Sequence, residues 1–337
     1  MSHPRLPFLA CLGLMAVSLS SAEQMVKLSS GHNMPVIGLG TWQIKPDDVD
    51  RAVSAALEDG YRHIDTATVY KNEEAIGKSL KKWFAKGNKR EDLFITTKLP
   101  PIGARAADVE KQLRMSLERL ALDYVDMYLI HSPTGYLSDD PPVMDFTTDH
   151  LAIWKAMEAQ VKAGRAKSIG ISNFNETQVL NVFDNAEIKP SNLQIELHVY
   201  NQQKPLREFC AKRNIAITGY STLGSPASSA FTAGRALPQL MEHPSILKIA
   251  EAHGKSAAQV LLRHSVQSGI TVIPKSTNPD RIKANHDIFD FELNEHEMKE
   301  LSDLDKEEHG RIFNFLVFQG IEKHPQYPWP SQLNGNA

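Results

Sequence analysis

From position 36 onward, short apolar runs alternate with longer stretches in which apolar residues recur every three or four positions. The runs predict strands at 36–39, 61–64, 94–97, 124–130, 168–171, 192–195, 215–219 and 270–273. The longer stretches predict helices at 49–58, 73–83, 109–120, 151–163, 176–184, 205–213, 246–263 and 280–288. The strand runs are apolar throughout instead of alternating, as expected of strands buried on both faces. A succession of such β–α units predicts an α/β fold, a closed (β/α)8 TIM barrel in preference to an open doubly wound sheet. Two pieces fall outside the repeat. Residues 26–28 and 33–36 flank a turn at 29–32 and predict an N-terminal β-hairpin that plugs the bottom of the barrel, and 294–304 predicts an extra C-terminal helix, followed by a loop.

Composition narrows the class. The chain has 337 residues, 42% hydrophobic and 23% charged, with a net charge of −3. That suits an ordinary globular protein with a large core, and it offers no basic stripe for nucleic acid. Arg5, the apolar stretch 6–19 and the small residues Ser20 and Ala22 have the layout of a secretory signal peptide over residues 1–22. An uncleaved signal anchor or a misassigned start codon are the alternatives. The remaining 23–337 contains no linker rich in Gly, Ser or Pro and predicts a single domain. Cys11 lies inside the leader, so a mature chain would keep Cys210 alone and form no internal disulfide. Asn175-Glu176-Thr177 is the one N-glycosylation sequon, and it lies beside the candidate site developed below.

Candidate chemistry gathers at strand ends. Asp65 and Tyr70 follow the run 61–64, Lys98 follows 94–97, and His131 follows 124–130. A lone polar residue near a strand end is ordinarily a satisfied surface or core residue. A parallel barrel, however, delivers all its strand C-termini to one rim. An acid, a phenol, an amine and an imidazole meeting there are the parts of a proton-transfer site. Gly38-Leu39-Gly40 begins like a dinucleotide fingerprint, but Gln43 occupies the third glycine position and the next helix starts late. A tight barrel turn is the better reading.

A second group surrounds the last predicted helix. Asn278 suits its cap and Pro279 its first turn. Lys275, Ser276 and Arg281 then surround the free N–H groups of that turn. Two cations and a helix N-terminus favour a dianion, such as the 2′-phosphate that separates NADP from NAD; a plain capped helix with solvated cations is the alternative. Ser172, Asn173 and Gln194 carry hydroxyl and amide groups suited to a carboxamide, and Tyr220 offers a flat ring for stacking, although each alone is more often structural.

Seven motifs stand in order: G-L-G-T-W at 38–42, G-Y-R-H-I-D-T-A at 60–67, Y-K-N-E at 70–73, T-K-L at 97–99, L-I-H-S-P at 129–133, G-I-S-N-F at 170–174 and I-P-K-S at 273–276. With them the chain resembles the aldo-keto reductases from about residue 26 to its end. The resemblance implies NADPH as cofactor, no metal, and Asp65, Tyr70, Lys98 and His131 as a catalytic tetrad. It implies Ser172, Asn173 and Gln194 on the nicotinamide amide and Tyr220 stacked on its ring. Lys275, Ser276 and Arg281 would hold the adenosine phosphate, Asn285 the adenine, and Thr41, Ser221, Leu223 and Ser225 further parts of the cofactor. Ala284 stands where many members carry Glu, so one adenine hydrogen bond is missing from the pattern.

By the same resemblance, Tyr70 supplies a proton to the carbonyl oxygen, and Lys98, paired with Asp65, lowers the phenol pKa from about 10. Members that reduce steroid C=C bonds carry Glu in place of His131, so carbonyl reduction is expected. Trp42, Val69, His131, Ser132, Phe315 and Trp329 would line the substrate pocket. Ser132 and Pro100 replace large rings found in aldose-reductase-like members, which predicts a widened cleft suited to a bulky apolar ketone. Aromatics in 312–318 and 327–330 are the candidates to refill it. Exported members that the chain resembles include insect reductases of 3-dehydroecdysteroids. A broad-specificity detoxifying aldehyde and ketone reductase, or a non-catalytic NADPH-binding protein, are the alternatives. The chain is expected to be secreted, with the ER lumen as the alternative although 333–337 carries no retention signal. It is expected to act as a monomer, without membrane attachment after cleavage and with a small-molecule carbonyl as partner.

Overall fold

The structure, a computed structural model, describes residues 24–139, 141–226, 228, 232 and 239–333. The expected leader, 1–22, lies outside them. Strands β1 (Met25–Lys27) and β2 (Asn33–Pro35) pair antiparallel and form the expected hairpin. Leu28 and Met34 from this hairpin bury themselves against Phe94, Met127 and Leu129 of the barrel. At the turn, the Ser30 hydroxyl meets that of Ser168 at 2.7 Å, and Ser29 Oγ donates to Ser191 Oγ at 3.3 Å. The hairpin therefore closes the barrel at the end where strands begin.

The remaining strands, in chain order, are β3 (Leu39–Gly40), β4 (His63–Asp65), β5 (Phe94–Leu99), β6 (Val125–Ile130), β7 (Gly135–Asp139), β8 (Pro142–Asp145), β9 (Ala166–Ser172), β10 (Asn192–Glu196), β11 (Ala216–Tyr220) and β12 (Ile270–Val272). Eight of them pair side by side in the order β3-β4-β5-β6-β9-β10-β11-β12, each parallel to the next. A parallel bridge between Ile37 and Val272 joins the two ends, with Gly38 N–H donating to Val272 O at 2.8 Å. The fold is a (β/α)8 barrel.

Helices α1 (Pro46–Glu58), α2 (Glu73–Ala85), α3 (Val109–Leu120), α4 (His150–Lys162), α5 (Glu176–Asn185), α6 (Lys204–Ala211), α7 (Pro244–His253), α8 (Ala257–Gln267), α9 (Pro279–His286) and α10 (Glu295–Ser302) carry the connections and the C-terminal addition. Their apolar faces fit the strands' outer faces in one cluster in which Val53, Leu80, Leu117, Trp154 and Val182 pack with Ile64, Ile95, Ile169 and Leu193. Each such side chain contributes about 1.5–3 kcal/mol by leaving water. Among the described residues, no helix is long and apolar enough to cross a membrane.

Three differences from the sequence pattern have physical causes. The apolar period runs unbroken through 246–263 and predicts one helix, but Gly254 turns left-handed at φ +63° and Ser256 caps a new helix, so α7 and α8 are separate. Nothing in the pattern predicts the β7–β8 hairpin, whose strands bury Tyr136 and Met144 while Leu137 and Val143 stand exposed, as does the adjacent Phe146. The first predicted strand, 36–39, is reduced to the bridge at Ile37 and the short β3. Asn175 spends its amide locally: Oδ1 caps α5 through Gln178 N–H at 2.9 Å, and Nδ2 donates to Pro328 O at 2.9 Å. A glycan on Nδ2 would break the second contact.

Gly38 and Gly40 lie at the barrel's seam. A Cβ on Gly38 would come within 2.7 Å of the His63 ring, and one on Gly40 within 2.4 Å of Ile273 O. The bare Gly40 lets the first strand touch the end of the last, and the bare Gly38 makes room for the His63 ring on β4. Gly40→Ala should therefore destabilise the barrel by about 1–3 kcal/mol in urea unfolding, as an overpacked backbone contact does. An unchanged midpoint would show that the seam is looser than drawn.

Candidate active site

Three adjacent strands bring the four polar residues together at one rim. Asp65 is the last residue of β4, Lys98 lies near the end of β5, and His131 directly follows β6. Tyr70 ends a 3-10 turn at Thr68–Tyr70, after which Lys71 turns left-handed at φ +56°. Lys98 Nζ donates to Asp65 Oδ1 at 2.6 Å, to Thr66 O at 2.9 Å and to the Tyr70 hydroxyl at 3.2 Å. The rings of Tyr70 and His131 meet edge to face, with centroids 5.7 Å apart. Beneath them, Asn72 donates to Thr41 O and Ile44 O and accepts from Thr66 Oγ1, which fixes the loop that carries Tyr70. The Thr41 hydroxyl, in turn, donates to Asp65 O at 2.9 Å.

Burial sets the protonation states. Lys98 and Asp65 are 1% and 2% exposed. Burial alone would lower the Lys98 pKa, but Asp65 and Tyr70 more than offset it, and the ammonium sits above its ordinary 10.5. The Tyr70 phenol is also pushed up, by burial first; the Lys98 charge and hydrogen bond oppose this, while the Asp65 charge adds to it. That corrects the expectation of a net lowering by Lys98, because loss of water outweighs the neighbouring cation. His131 falls well below 6.5, through burial first and the Lys98 charge second, so its ring is neutral at pH 7. Its Nδ1 is sealed from solvent and has no hydrogen-bond partner among the described residues.

The residues expected around a nicotinamide adjoin this group. Ser172 ends β9, and Asn173 turns left-handed at φ +66°. Asn173 Nδ2 donates to His131 O at 2.9 Å and to Ser172 Oγ at 3.1 Å, and the Tyr220 hydroxyl donates to Asn173 Oδ1 at 2.7 Å. Gln194 Nε2 donates to Asp65 Oδ2 at 2.7 Å. A ring of hydroxyls, amides and one phenol thus surrounds the same corner of the barrel, and this donor set suits a carboxamide.

The loop after β11 carries Ser221, Leu223 and Ser225, with both serines at positive φ and Ser225 Oγ donating to Ser221 Oγ at 2.7 Å. Beyond β12, Asn278 caps α9 through Arg281 N–H at 3.0 Å. Ser276 Oγ receives Asn278 N–H at 3.1 Å and Arg281 Nε at 3.4 Å. Lys275 and Arg281 are both exposed, while Asn285 is buried. Lys275 is held below 10.5 by burial and then by the Arg281 charge. Like charges held this close at a helix N-terminus suit a phosphate. Among the described residues, no group of three or more His, Cys, Asp or Glu is placed to hold a metal.

The expected substrate residues divide. Trp42 is half-buried, with its ring edge-on to Phe313 at 5.6 Å, and Phe313 also faces Tyr220 at 6.2 Å. Val69 is exposed. Ser132 is buried, and its hydroxyl meets Thr134 Oγ1 at 2.8 Å. Phe315 and Trp329 pack together at 5.2 Å in a separate cluster with Tyr136, Met144 and Ile321 from the β7–β8 hairpin and the C-terminal loop. Arg311 covers the Trp329 ring at 4.2 Å. Phe313, within the aromatic run but not singled out, is the ring that meets Trp42.

Glu196 is a residue that the sequence pattern hides. It ends β10, fully buried, and accepts from Ile312 N–H at 2.6 Å, Phe313 N–H at 2.8 Å, His198 Nε2 at 3.1 Å and Asn201 Nδ2 at 3.3 Å. Although burial pushes its carboxyl up, these partners and Arg311 hold it below the ordinary 4.5. Glu196 therefore ties the C-terminal loop, and Phe313 with it, to the barrel rim. The only sequence signal is a carboxylate closing an apolar run.

A profile of the Aldo/keto reductase family matches residues 36–306. Aldo-keto reductase family 1 member A1 of Gallus gallus is 41% identical over 326 residues, spanning 92% of this chain and 99% of that protein. Its Homo sapiens namesake is 41% identical over 323 residues, spanning 91% and 98%. The aldose reductase structure from Schistosoma japonicum aligns with a TM-score of 0.82 at 39% identity, covering 91% of this chain and 98% of that one. A Bombyx mori aldo-keto reductase solved in complex with NADP aligns at 0.82 and 37% identity, covering 90% and 98%. The chain belongs to the aldo/keto reductase family.

Proposed function

We propose that this chain reduces the carbonyl of bulky apolar ketones, with 3-dehydroecdysteroids as the substrate class, through Tyr70 as proton donor. The coarser function follows from the family: an NADP-dependent oxidoreductase that acts on small-molecule carbonyls with NADPH as cofactor. The observation that carries the assignment of roles is the Lys98 ammonium, which reaches both Asp65 at 2.6 Å and the Tyr70 hydroxyl at 3.2 Å.

Bound NADPH supplies a hydride for the carbonyl carbon. Ser172, Asn173 and Gln194 would hold its amide, Tyr220 would stack on its ring, and Lys275, Ser276 and Arg281 would hold its phosphate. The oxygen of the substrate then needs a proton. Tyr70, kept protonated by burial, carries one, and Lys98 stabilises the phenolate left behind. Asp65 keeps Lys98 charged and aimed. Neutral His131 donates from Nε2 to the carbonyl and orients it.

Two features support the bulky ketone. Pro100 and Ser132 are smaller than the large rings that aldose-reductase-like members carry there, and the Ser132 hydroxyl is already engaged with Thr134. A second reading, a broad-specificity aldehyde and ketone reductase, is favoured by Phe313, whose ring leans on Trp42 and adds an aromatic wall beside it. In the proposal the chain is exported through the leader at 1–22, secreted or held in the ER lumen, and acts as a monomer.

Tyr70→Phe should lower kcat by more than about 100-fold while NADPH affinity, read by fluorescence titration, stays within about threefold. Turnover above about a tenth of wild type would remove Tyr70 from the acid role. Because His131 titrates well below 6.5 and Tyr70 above 10, kcat/KM for reduction should be flat from about pH 6.5 to 9. An inflection near 6.5 would show that His131 acts as an imidazolium. The substrate class is tested by NADPH oxidation with a sterol-sized 3-ketone beside a small aromatic aldehyde. A kcat/KM at least about 100-fold higher for the ketone, roughly 2.7 kcal/mol of discrimination, supports the first reading. Comparable rates would support the second.

A further inference from the structure

At the end of the barrel opposite the tetrad, a cavity of about 760 Å³ opens between α6, α8 and α10. Ile215 and Ala216, at the start of β11, form part of its wall, whereas Tyr220 at the other end of that strand belongs to the site already described. The size falls within the range of small-molecule pockets. Beside Lys299, which is paired with Asp303 at 2.7 Å, three basic side chains line it: Lys204, Arg207 and His264.

None of the three is fully used by the protein. Arg207 makes one side-chain hydrogen bond, from Nη2 to Ser268 O at 2.8 Å, and among the described residues it has no ion pair. A guanidinium has five N–H donors in a fixed fork, so most of its capacity is turned elsewhere. Lys204 donates to Ser302 O at 3.1 Å and stands 3.6 Å from Asp305. His264 is 5% exposed, and its ring has no hydrogen-bond partner among the described residues. Burial first, then the Arg207 and Lys204 charges, push its pKa down to about 4. A neutral imidazole whose ring nitrogens are unused, beside two cations, leaves hydrogen-bonding capacity and positive charge that suit an anion.

The carboxylates nearby serve that purpose only in part: Asp305 stands 3.6 Å from Lys204, and the charges of Asp305 and Glu208 also act on Arg207. Asp303 is held by Lys299 at 2.7 and 2.9 Å, Asp305 accepts from Gln202 N–H and Glu307 N–H, and Glu208 is exposed. The rest of the wall includes Ile215, Ile217 and Met298, which offer no polar side-chain atom for hydrogen bonding. We propose that this cavity is a second binding site, separate from the catalytic rim, for an organic anion with an apolar body. The head would lie against Arg207, Lys204 and His264, and the body along Ile215, Ile217 and Met298.

The test uses the full chain loaded with NADPH and three probes: octyl phosphate, octanol and inorganic phosphate. By calorimetry, octyl phosphate should bind with a sub-millimolar Kd, at least about tenfold tighter than either other probe. Arg207→Ala should weaken it about tenfold or more while carbonyl reduction stays within about twofold of wild type. Arg207→Gln, which can still donate to Ser268 O, serves if the alanine variant does not fold. Tyr70→Phe, which alters only the catalytic rim, should bind octyl phosphate like wild type. Unchanged affinity in the Arg207 variants, or weakening in Tyr70→Phe, would overturn the site. Octanol binding as tightly as octyl phosphate would overturn the anionic head, and inorganic phosphate doing so would overturn the apolar body.

Discussion

The buried ion pair between Lys98 and Asp65 is the contact on which the functional end of this barrel depends. Taking both charges out of water costs several kcal/mol for each ion, and attraction between them offsets that only if their remaining valences are filled. Here they are filled. Lys98 spends its three N–H bonds on Asp65, Thr66 O and Tyr70, and Asp65 receives Gln194 on its other oxygen. The pair adds little to net stability. Its effect is to place a permanent positive charge 3.2 Å from a phenol that burial keeps protonated. In the proposed reaction, where a phenolate forms at Tyr70, a charge fixed there in advance is preorganised electrostatic stabilisation.

That arrangement is possible because a parallel barrel carries neighbouring strands to one rim in register. Asp65 pairs with Thr96 across β4 and β5, and Lys98 with Leu129 across β5 and β6, which brings the acid, the amine and the histidine onto successive steps. The plug made by Leu28 and Met34 closes the barrel at its far end, while the seam at Gly40, level with Asp65, closes the sheet near the catalytic rim. At the near end, Glu196 holds the C-terminal loop by the N–H groups of Ile312 and Phe313. One buried carboxylate thus links the barrel to the ring that meets Trp42.

Much of this was legible in the sequence, for physical reasons that can be named. Strands buried on both faces leave continuous apolar runs, so the run 94–97 lies within β5 and 192–195 within β10. Polar residues at their ends stand out, which is how Asp65, Tyr70, Lys98 and His131 come to notice before any geometry is known. What the pattern hides depends on tertiary contact. The α7–α8 break rests on the conformation of Gly254, because the apolar period continues across it. The β7–β8 hairpin is short and half-exposed, so no long alternation announces it. Phe315 and Trp329 pack with Tyr136 and Met144, a contact that only the folded chain can show. The raised pKa of Tyr70 is likewise invisible in the sequence, since it reflects the water removed around the ring.

The central claim is that Asp65 acts through Lys98 to make Tyr70 an effective proton donor. Single-turnover hydride transfer in Asp65→Asn, with NADPH binding followed in the same samples by fluorescence, tests it most directly. Without the carboxylate, buried Lys98 loses the partner that keeps it charged, so the transfer rate should fall by about 100-fold or more while NADPH still binds within a few fold. A transfer rate close to wild type in a variant that binds NADPH normally would contradict the account.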